Sequence, residues 1–216
     1  MFAASNFTWP RARAPKLPGD KVTHGKDQTR HRIVSYDLYF LRVEDSADPQ
    51  SFLEELGERP AASTFEDQAR KQTVVDALRR VDPALEPFPF DYEEIAKALG
   101  TTVEEARQTH SHVELNGPDD GNGVQITVYG DHVDVTIAYW HAGAEASRIF
   151  SLIERYASEI VASGEYRVYD PQLERVVDSF DEIRADALNL YAGVVEKVPS
   201  IVASSENKAR PWWKFW

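Results

Sequence analysis

Cysteine is absent from the 216 residues and methionine occurs once. Without thiols there can be no disulfide, thiolate metal site or cysteine nucleophile, and the usual chemical signature of a small secreted domain is missing. No apolar run approaches the roughly 18 residues of a membrane span, and no continuous apolar h-region precedes a small-residue cleavage site. No cofactor fingerprint or nucleophile motif is present, so no cofactor is expected, and no repeat recurs at solenoid periods. These absences lead to the expectation of a soluble, cytoplasmic protein.

Basic residues are also scarce, with 24 Lys and Arg against 36 Asp and Glu, a net charge of −12. The shortage is uneven. Residues 1–33 hold seven basic and two acidic residues, a net +5, which leaves 17 basic and 34 acidic residues, a net −17, in the remainder. A body this acidic repels a phosphate backbone and attracts a basic partner, so nucleic acid is disfavoured as its ligand. The leader at 1–33, rich in Pro, Arg and Lys and without periodicity, reads as disordered. Folding is expected from Val34 as one α+β domain over 34–203, followed by an aromatic tail at 204–216; 42% apolar and 28% charged residues suit one core.

Within that domain the pattern is one of short elements. Residues 35–43 mix aromatic and branched side chains and predict a strand. Asp48 and Pro49 open a helix to Leu56, capped by Gly57. A second helix starts near Thr64 with Phe65, Ala69, Val74, Val75, Leu78 and Val81 as its apolar face, and ends before Pro83. Residues 87–90, Pro-Phe-Pro-Phe, suit neither regular element and should cross the surface with Phe88 and Phe90 packing onto the core. Asp91 caps a helix to Leu99 that Gly100 closes, and a further helical turn starts at Thr101 or Thr102. Residues 112–139 alternate in type around two turns and predict an antiparallel meander. The i, i+3, i+4 spacing of Ile149, Phe150, Ile153, Tyr156, Ala157 and Ile160 predicts a central amphipathic helix over 144–162. Strands in 166–177 and a helix over 180–195 complete a mostly antiparallel sheet packed against several amphipathic helices.

Four groups of residues could carry chemistry. The run 91–107 has the Ile-Ala-x-x-Leu-Gly-x-Thr-Val spacing of a helix-turn-helix, yet its second helix offers Glu104 and Glu105 with only Arg107 to oppose them; phosphate neutralisation needs the reverse, and two helices packed at a glycine corner is the plainer account. His110, His112 and Glu114 alternate, so a strand there would set two imidazoles and a carboxylate on one face, a donor set for zinc or iron; solvated strand residues have the same spacing. His141 and Asp170 close strands at loops and could serve as acid and base, although Asp-Pro is turn chemistry. For protein contact the candidates are Asp119, Asp120 and Asp131 in the acidic turns, Tyr139 and Trp140 at a strand end, and Trp212, Trp213, Phe215 and Trp216 in the tail, whose apolar rings are costly to leave in water.

Residues 35–40, Ser-Tyr-Asp-Leu-Tyr-Phe, with Val113–Asn116, Tyr139–His141 and the late run 168–172, Val-Tyr-Asp-Pro-Gln, resemble a widespread family of uncharacterised bacterial proteins over roughly 34–178. That family carries no established chemistry and transfers no catalytic residue. Small acidic proteins of this kind are similar to the immunity proteins of bacterial toxin systems, a resemblance that implies binding rather than catalysis. The expectation is a non-enzymatic, immunity- or antitoxin-like protein-binding module that covers a basic partner with an acidic face. The alternative is a small enzyme using His141 and Asp170 or a metal.

Overall fold

The computed structural model of the chain describes residues 35–56, 64–116, 123–164 and 166–197. The leader, the aromatic tail with Trp212, Trp213, Phe215 and Trp216, and the loop carrying Asp119 and Asp120 lie outside the described residues. The fold is α+β. Strands β1 (Ser35–Arg42), β2 (Glu86–Pro87), β3 (Val113–Asn116), β4 (Val124–Val128), β5 (His132–Ala138), β6 (Tyr166–Asp170) and β7 (Arg175–Val177) form one sheet, all described pairs antiparallel, in the order β2-β3-β4-β5-β1-β6-β7. The predicted meander is β3-β4-β5; β1, first in the chain, sits between β5 and β6. The short bridge β2 was not anticipated, because Pro87 offers no backbone N–H; one N–H of this segment is still used, Phe88 donating to Glu114 O at 2.8 Å.

The helices are α1 (Pro49–Glu55), α2 (Phe65–Val81), α3 (Tyr92–Leu99), α4 (Val103–Thr109), α5 (Ala144–Ala162) and α6 (Arg184–Val195), with 3-10 turns at Asp45–Ala47 and Phe180–Glu182. Their ends follow the sequence chemistry. Asp91 accepts from Glu93 N and Glu94 N, Gly100 closes α3 at φ 66°, and Thr64 with Asp67 and Thr102 with Glu105 form reciprocal capping boxes at α2 and α4. The apolar stripe of α5 buries Ile149, Phe150, Ile153, Tyr156, Ala157 and Ile160. Tyr36 of β1 meets Phe150 edge to face at 5.8 Å, so this stripe covers the sheet face lined by Tyr36, Leu38 and Phe40 and their partners Ile137, Val135 and Val133. Each large side chain buried there contributes about 2 kcal/mol. α2 joins this layer through Val74, Val75 and Leu78. Phe65 does not: at 89% exposed it stands at the first position of α2, before the helix reaches the sheet.

On the other face, α1 sets Phe52 against Leu41 and Tyr169. Tyr39 and Val176 join this cluster, and the same face carries the polar side chains Asp37, Thr136, Thr127, Asp134 and His132, of which Thr127, Asp134 and His132 are buried. Thr136 Oγ1 donates to the half-buried Asp37 Oδ1 at 2.9 Å.

Candidate functional site

The strand ends gather side chains at both ends of the sheet. At the end where β1 starts and β5 stops, Tyr36 donates to Asp170 Oδ2, and Asp170 Oδ1 accepts from Gln172 N at 2.9 Å and Leu173 N at 3.0 Å. Asp170 is fully buried. Burial raises its pKa, which the Tyr36 bond and the two backbone donors pull back down, and burial with the bond to Asp170 drives the Tyr36 phenol upward. The Asp-Pro run is thus an Asx turn whose carboxylate also ties the start of β1 to the end of β6.

Beside this pair lies a ring cluster. Tyr139 stacks on Tyr191 at 5.0 Å, and both meet Tyr36 edge to face, at 6.4 and 6.2 Å. Tyr191 donates to Ala138 O at 2.5 Å and accepts from His141 N at 3.2 Å. The expectation that Tyr139 meets a partner is therefore corrected: it is 7% exposed and its phenol is pushed well up by burial. His141 is buried too, its Nδ1 4.0 Å from Glu145 Oε1 and its Nε2 without a hydrogen-bond partner among the described residues. His141 and Asp170 thus edge one ring cluster, Asp170 through Tyr36 and His141 through Tyr191, and both are closed to solvent as they stand.

Trp140 faces the other way. It is 56% exposed, and its indole lies against Gly123, which holds φ at 65°; a Cβ on Gly123 would come within 2.6 Å of Trp140 Cζ2. Only glycine permits both the left-handed backbone and that approach. Trp140 is therefore an exposed aromatic plate held by the strand end beneath it.

At the opposite end, rings from four segments form a row. His112 meets Phe90 at 5.0 Å and Tyr129 at 5.2 Å, Tyr129 stacks on His132 at 4.2 Å, and His132 meets Phe52 at 5.5 Å. Phe90 and Phe88 are half-buried against each other and the histidines, instead of entering the core as expected. His132 Nδ1 is 2.7 Å from Asp131 Oδ1 and its Nε2 is 3.6 Å from Asp134 Oδ1. Asp131 thus holds a buried imidazole, which its place in a turn did not suggest. The set of His110, His112 and Glu114 does not form as a strand face. His110 ends α4, its Nδ1 3.3 Å from Ala106 O, whereas His112 Nε2 pairs with Glu114 Oε1 at 3.3 Å and Gln125 donates to Glu114 Oε2 at 2.9 Å. Among the described residues no group of three or more His, Asp or Glu is placed to hold a metal ion.

The α3–α4 hairpin projects acid. Asp91, Glu93, Glu94, Glu104 and Glu105 are exposed with Leu99 and Val103 between them, against Lys97 and Arg107, the latter lying over the Tyr92 ring at 4.6 Å. Hydrogen bonds from Thr101 and Thr102 hold Glu105 down to about 2. This exposed apolar pair framed by carboxylates was hidden in the helix-turn-helix spacing; the acidic side chains at 104 and 105 were its visible signal. No helix among the described residues is long and apolar enough to cross a membrane. Comparison of the chain with protein-family models, with curated proteins and with solved structures gives no match.

Proposed function

We propose that this chain is a non-enzymatic protein-binding module of the immunity or antitoxin kind, which covers a basic partner with acidic surface. The observation that carries this reading is Trp140, a large exposed indole fixed against Gly123. Such preorganised aromatics are where interface energy concentrates, because little side-chain freedom is lost when they are covered. The acidic α3–α4 hairpin, with Leu99 and Val103 exposed among its carboxylates, supports the same reading, since surface charge of one sign speeds encounter with its opposite. Kinship with bacterial immunity proteins, suggested by the small size and acidity of the chain, fits this reading and is part of the proposal.

The test is co-purification of the tagged chain from its host at low and at moderate salt, beside Trp140→Ala and a Glu93→Gln, Glu94→Gln, Glu104→Gln, Glu105→Gln variant. A stoichiometric basic protein is expected with the unmodified chain. Trp140→Ala should weaken its capture about 30-fold or more, the loss typical of an interface hot spot. The fourfold variant should flatten the salt dependence. A chain that emerges alone at both salt concentrations, or a partner held equally by all three forms, overturns the proposal.

A further inference from the structure

Among the described residues Glu174 is the one residue other than glycine that holds a left-handed backbone, at φ 53°. A Cβ makes that conformation costly, and hairpin turns usually place glycine or asparagine there. The turn that carries it, residues 171–174 between β6 and β7, is nonetheless firmly held. Its anchor Asp170 is fully buried, takes the N–H groups of Gln172 and Leu173, and accepts from Tyr36. Glu174 itself is exposed, and among the described residues its carboxylate makes no hydrogen bond or ion pair, whereas the next residue, Arg175, pairs with Asp186 at 3.0 Å. The fold gives no internal reason to keep strain under this carboxylate, and strain of this kind collects where a chain meets its ligand.

The register sets this turn beside Trp140. β1 lies between β5 and β6, with Ser35 opposite Ala138 and Tyr39 opposite Tyr169, so β5 stops and β6 turns at one end of the sheet, two strand spacings or roughly 10 Å apart. Tyr36 spans the gap. Its ring meets that of Tyr139, the residue before Trp140, at 6.4 Å, and its hydroxyl donates to Asp170. The α3–α4 hairpin enters β3 at the other end, where Val113 pairs with Val128, so its carboxylates act on a partner from a distance while Glu174 stands at the end that holds the indole.

We propose that Trp140 and Glu174 form one contact surface, and that its occupant is a basic segment of the partner protein carrying two arginines about 10 Å apart. The inference rests on the protein-binding reading and names the chemistry that this surface recognises. One guanidinium stacks on the exposed indole, a planar match that a compact, strongly hydrated ammonium makes less well. The other meets the Glu174 carboxylate as a fork of parallel N–H donors. Because Gly123 holds the indole and Asp170 holds the turn, little freedom is lost when the segment arrives.

The test titrates the full chain with the peptide acetyl-Arg-Gly-Gly-Arg-amide at constant ionic strength, following the Trp140 indole N–H and the Glu174 amide by NMR. Saturable shifts are expected at both, with Glu93 and Glu104 of the hairpin unmoved and the lysine counterpart of the peptide binding more weakly. Trp140→Ala should abolish saturation, and Glu174→Gln should weaken binding about threefold, the worth of an exposed ion pair. Glu174→Gly should weaken it equally while raising Tm by about 2–4 °C, because glycine relieves the left-handed strain. The amide spectrum confirms that each variant is folded. Absence of saturation, shifts at Trp140 without Glu174, unchanged binding by Glu174→Gly, or equal binding of the lysine peptide overturns the surface. Saturable shifts confined to the hairpin overturn it as well but leave the protein-binding reading standing, whereas emergence of the chain alone from the co-purification removes that reading.

Discussion

Replacing Tyr36 by Phe removes one oxygen atom from the centre of the fold and leaves the ring. Both Tyr36 and Asp170 are 0% exposed, and the lost hydroxyl is one of three donors to the Asp170 carboxylate, the others being Gln172 N and Leu173 N. The edge contacts of the ring with Phe150 at 5.8 Å and Tyr191 at 6.2 Å persist, so no cavity term enters. What remains is the net worth of a hydrogen bond to a charged acceptor, about 2 kcal/mol, or a fall in Tm of roughly 4–8 °C for a body of this size.

The pH dependence makes the argument sharper. Burial raises the pKa of Asp170 and the Tyr36 bond opposes that rise. A carboxyl whose folded pKa lies above its unfolded value contributes stability that is fully present below the unfolded value and is lost as pH rises through the folded one. Removing Tyr36 Oη lifts the folded value further, so the variant loses more stability than the parent chain between acid and neutral pH. The difference between the two should therefore be largest at neutral pH and shrink to about 1 kcal/mol, the worth of a neutral hydrogen bond, once Asp170 is protonated. Urea denaturation followed by far-UV circular dichroism at both pH values measures this. A neutral-pH difference below roughly 0.5 kcal/mol, or one that grows on acidification, refutes the account of Asp170 as a buried, ionised structural acceptor.

Three further outcomes are expected. Gly123→Ala places a methyl group within 2.6 Å of the Trp140 ring at a backbone φ of 65°, so it should cost about 1–2 kcal/mol and move the indole N–H signal that Trp140→Phe deletes; an unmoved signal would mean that the ring does not rest on Gly123. Thr102→Ala opens the capping box at α4 and should cost about 1 kcal/mol in chemical denaturation, with the titration of Glu105 rising toward the usual carboxylate range in carbon-detected NMR. Phe150→Ala, at the meeting point of Tyr36, Phe180 and Tyr191, should cost about 3–5 kcal/mol by denaturant midpoint, whereas Phe65→Ala, on an 89% exposed side chain, should stay within about 0.5 kcal/mol.

The elements that could be read from the sequence are those whose signal is local. The turn between β4 and β5, the stripe of α5 and the caps at Asp91 and Gly100 depend on neighbours within a few residues, and all stand where they were expected. The position of β1 in the sheet depends on pairing with β5 and β6, about 100 and 130 residues away, which no local pattern encodes. The burial of Tyr139 was illegible for a related reason. His-Val-Asp-Val-Thr-Ile-Ala in β5 alternates as if its polar face met water, but His132 and Asp134 are buried, so both faces of this strand are covered. With alternation no longer marking inside from outside, nothing said which ring of Tyr139 and Trp140 turns inward. The answer came from Tyr191, far along the chain, which stacks on Tyr139 and leaves Trp140 to the surface.

The α3–α4 hairpin is the place where spacing and charge disagree, and charge decides what it can do. Its backbone satisfies the helix-turn-helix pattern, with Gly100 in the left-handed turn and Thr102 opening the second helix. A DNA reader of that design inserts the first turn of the second helix into the major groove, between two rows of phosphates. Here that turn carries Glu104 and Glu105, and the bonds that cap the helix are the same ones that hold Glu105 ionised down to about 2. Glu105, in the first turn of the helix, thus cannot shed its charge near neutral pH to admit a phosphate. The same exposed carboxylates, set around Leu99 and Val103, repel a phosphate backbone, and in the proposed function they would face a basic protein surface. A short motif fixes the course of the backbone, and the side chains it projects determine which partner that backbone can meet.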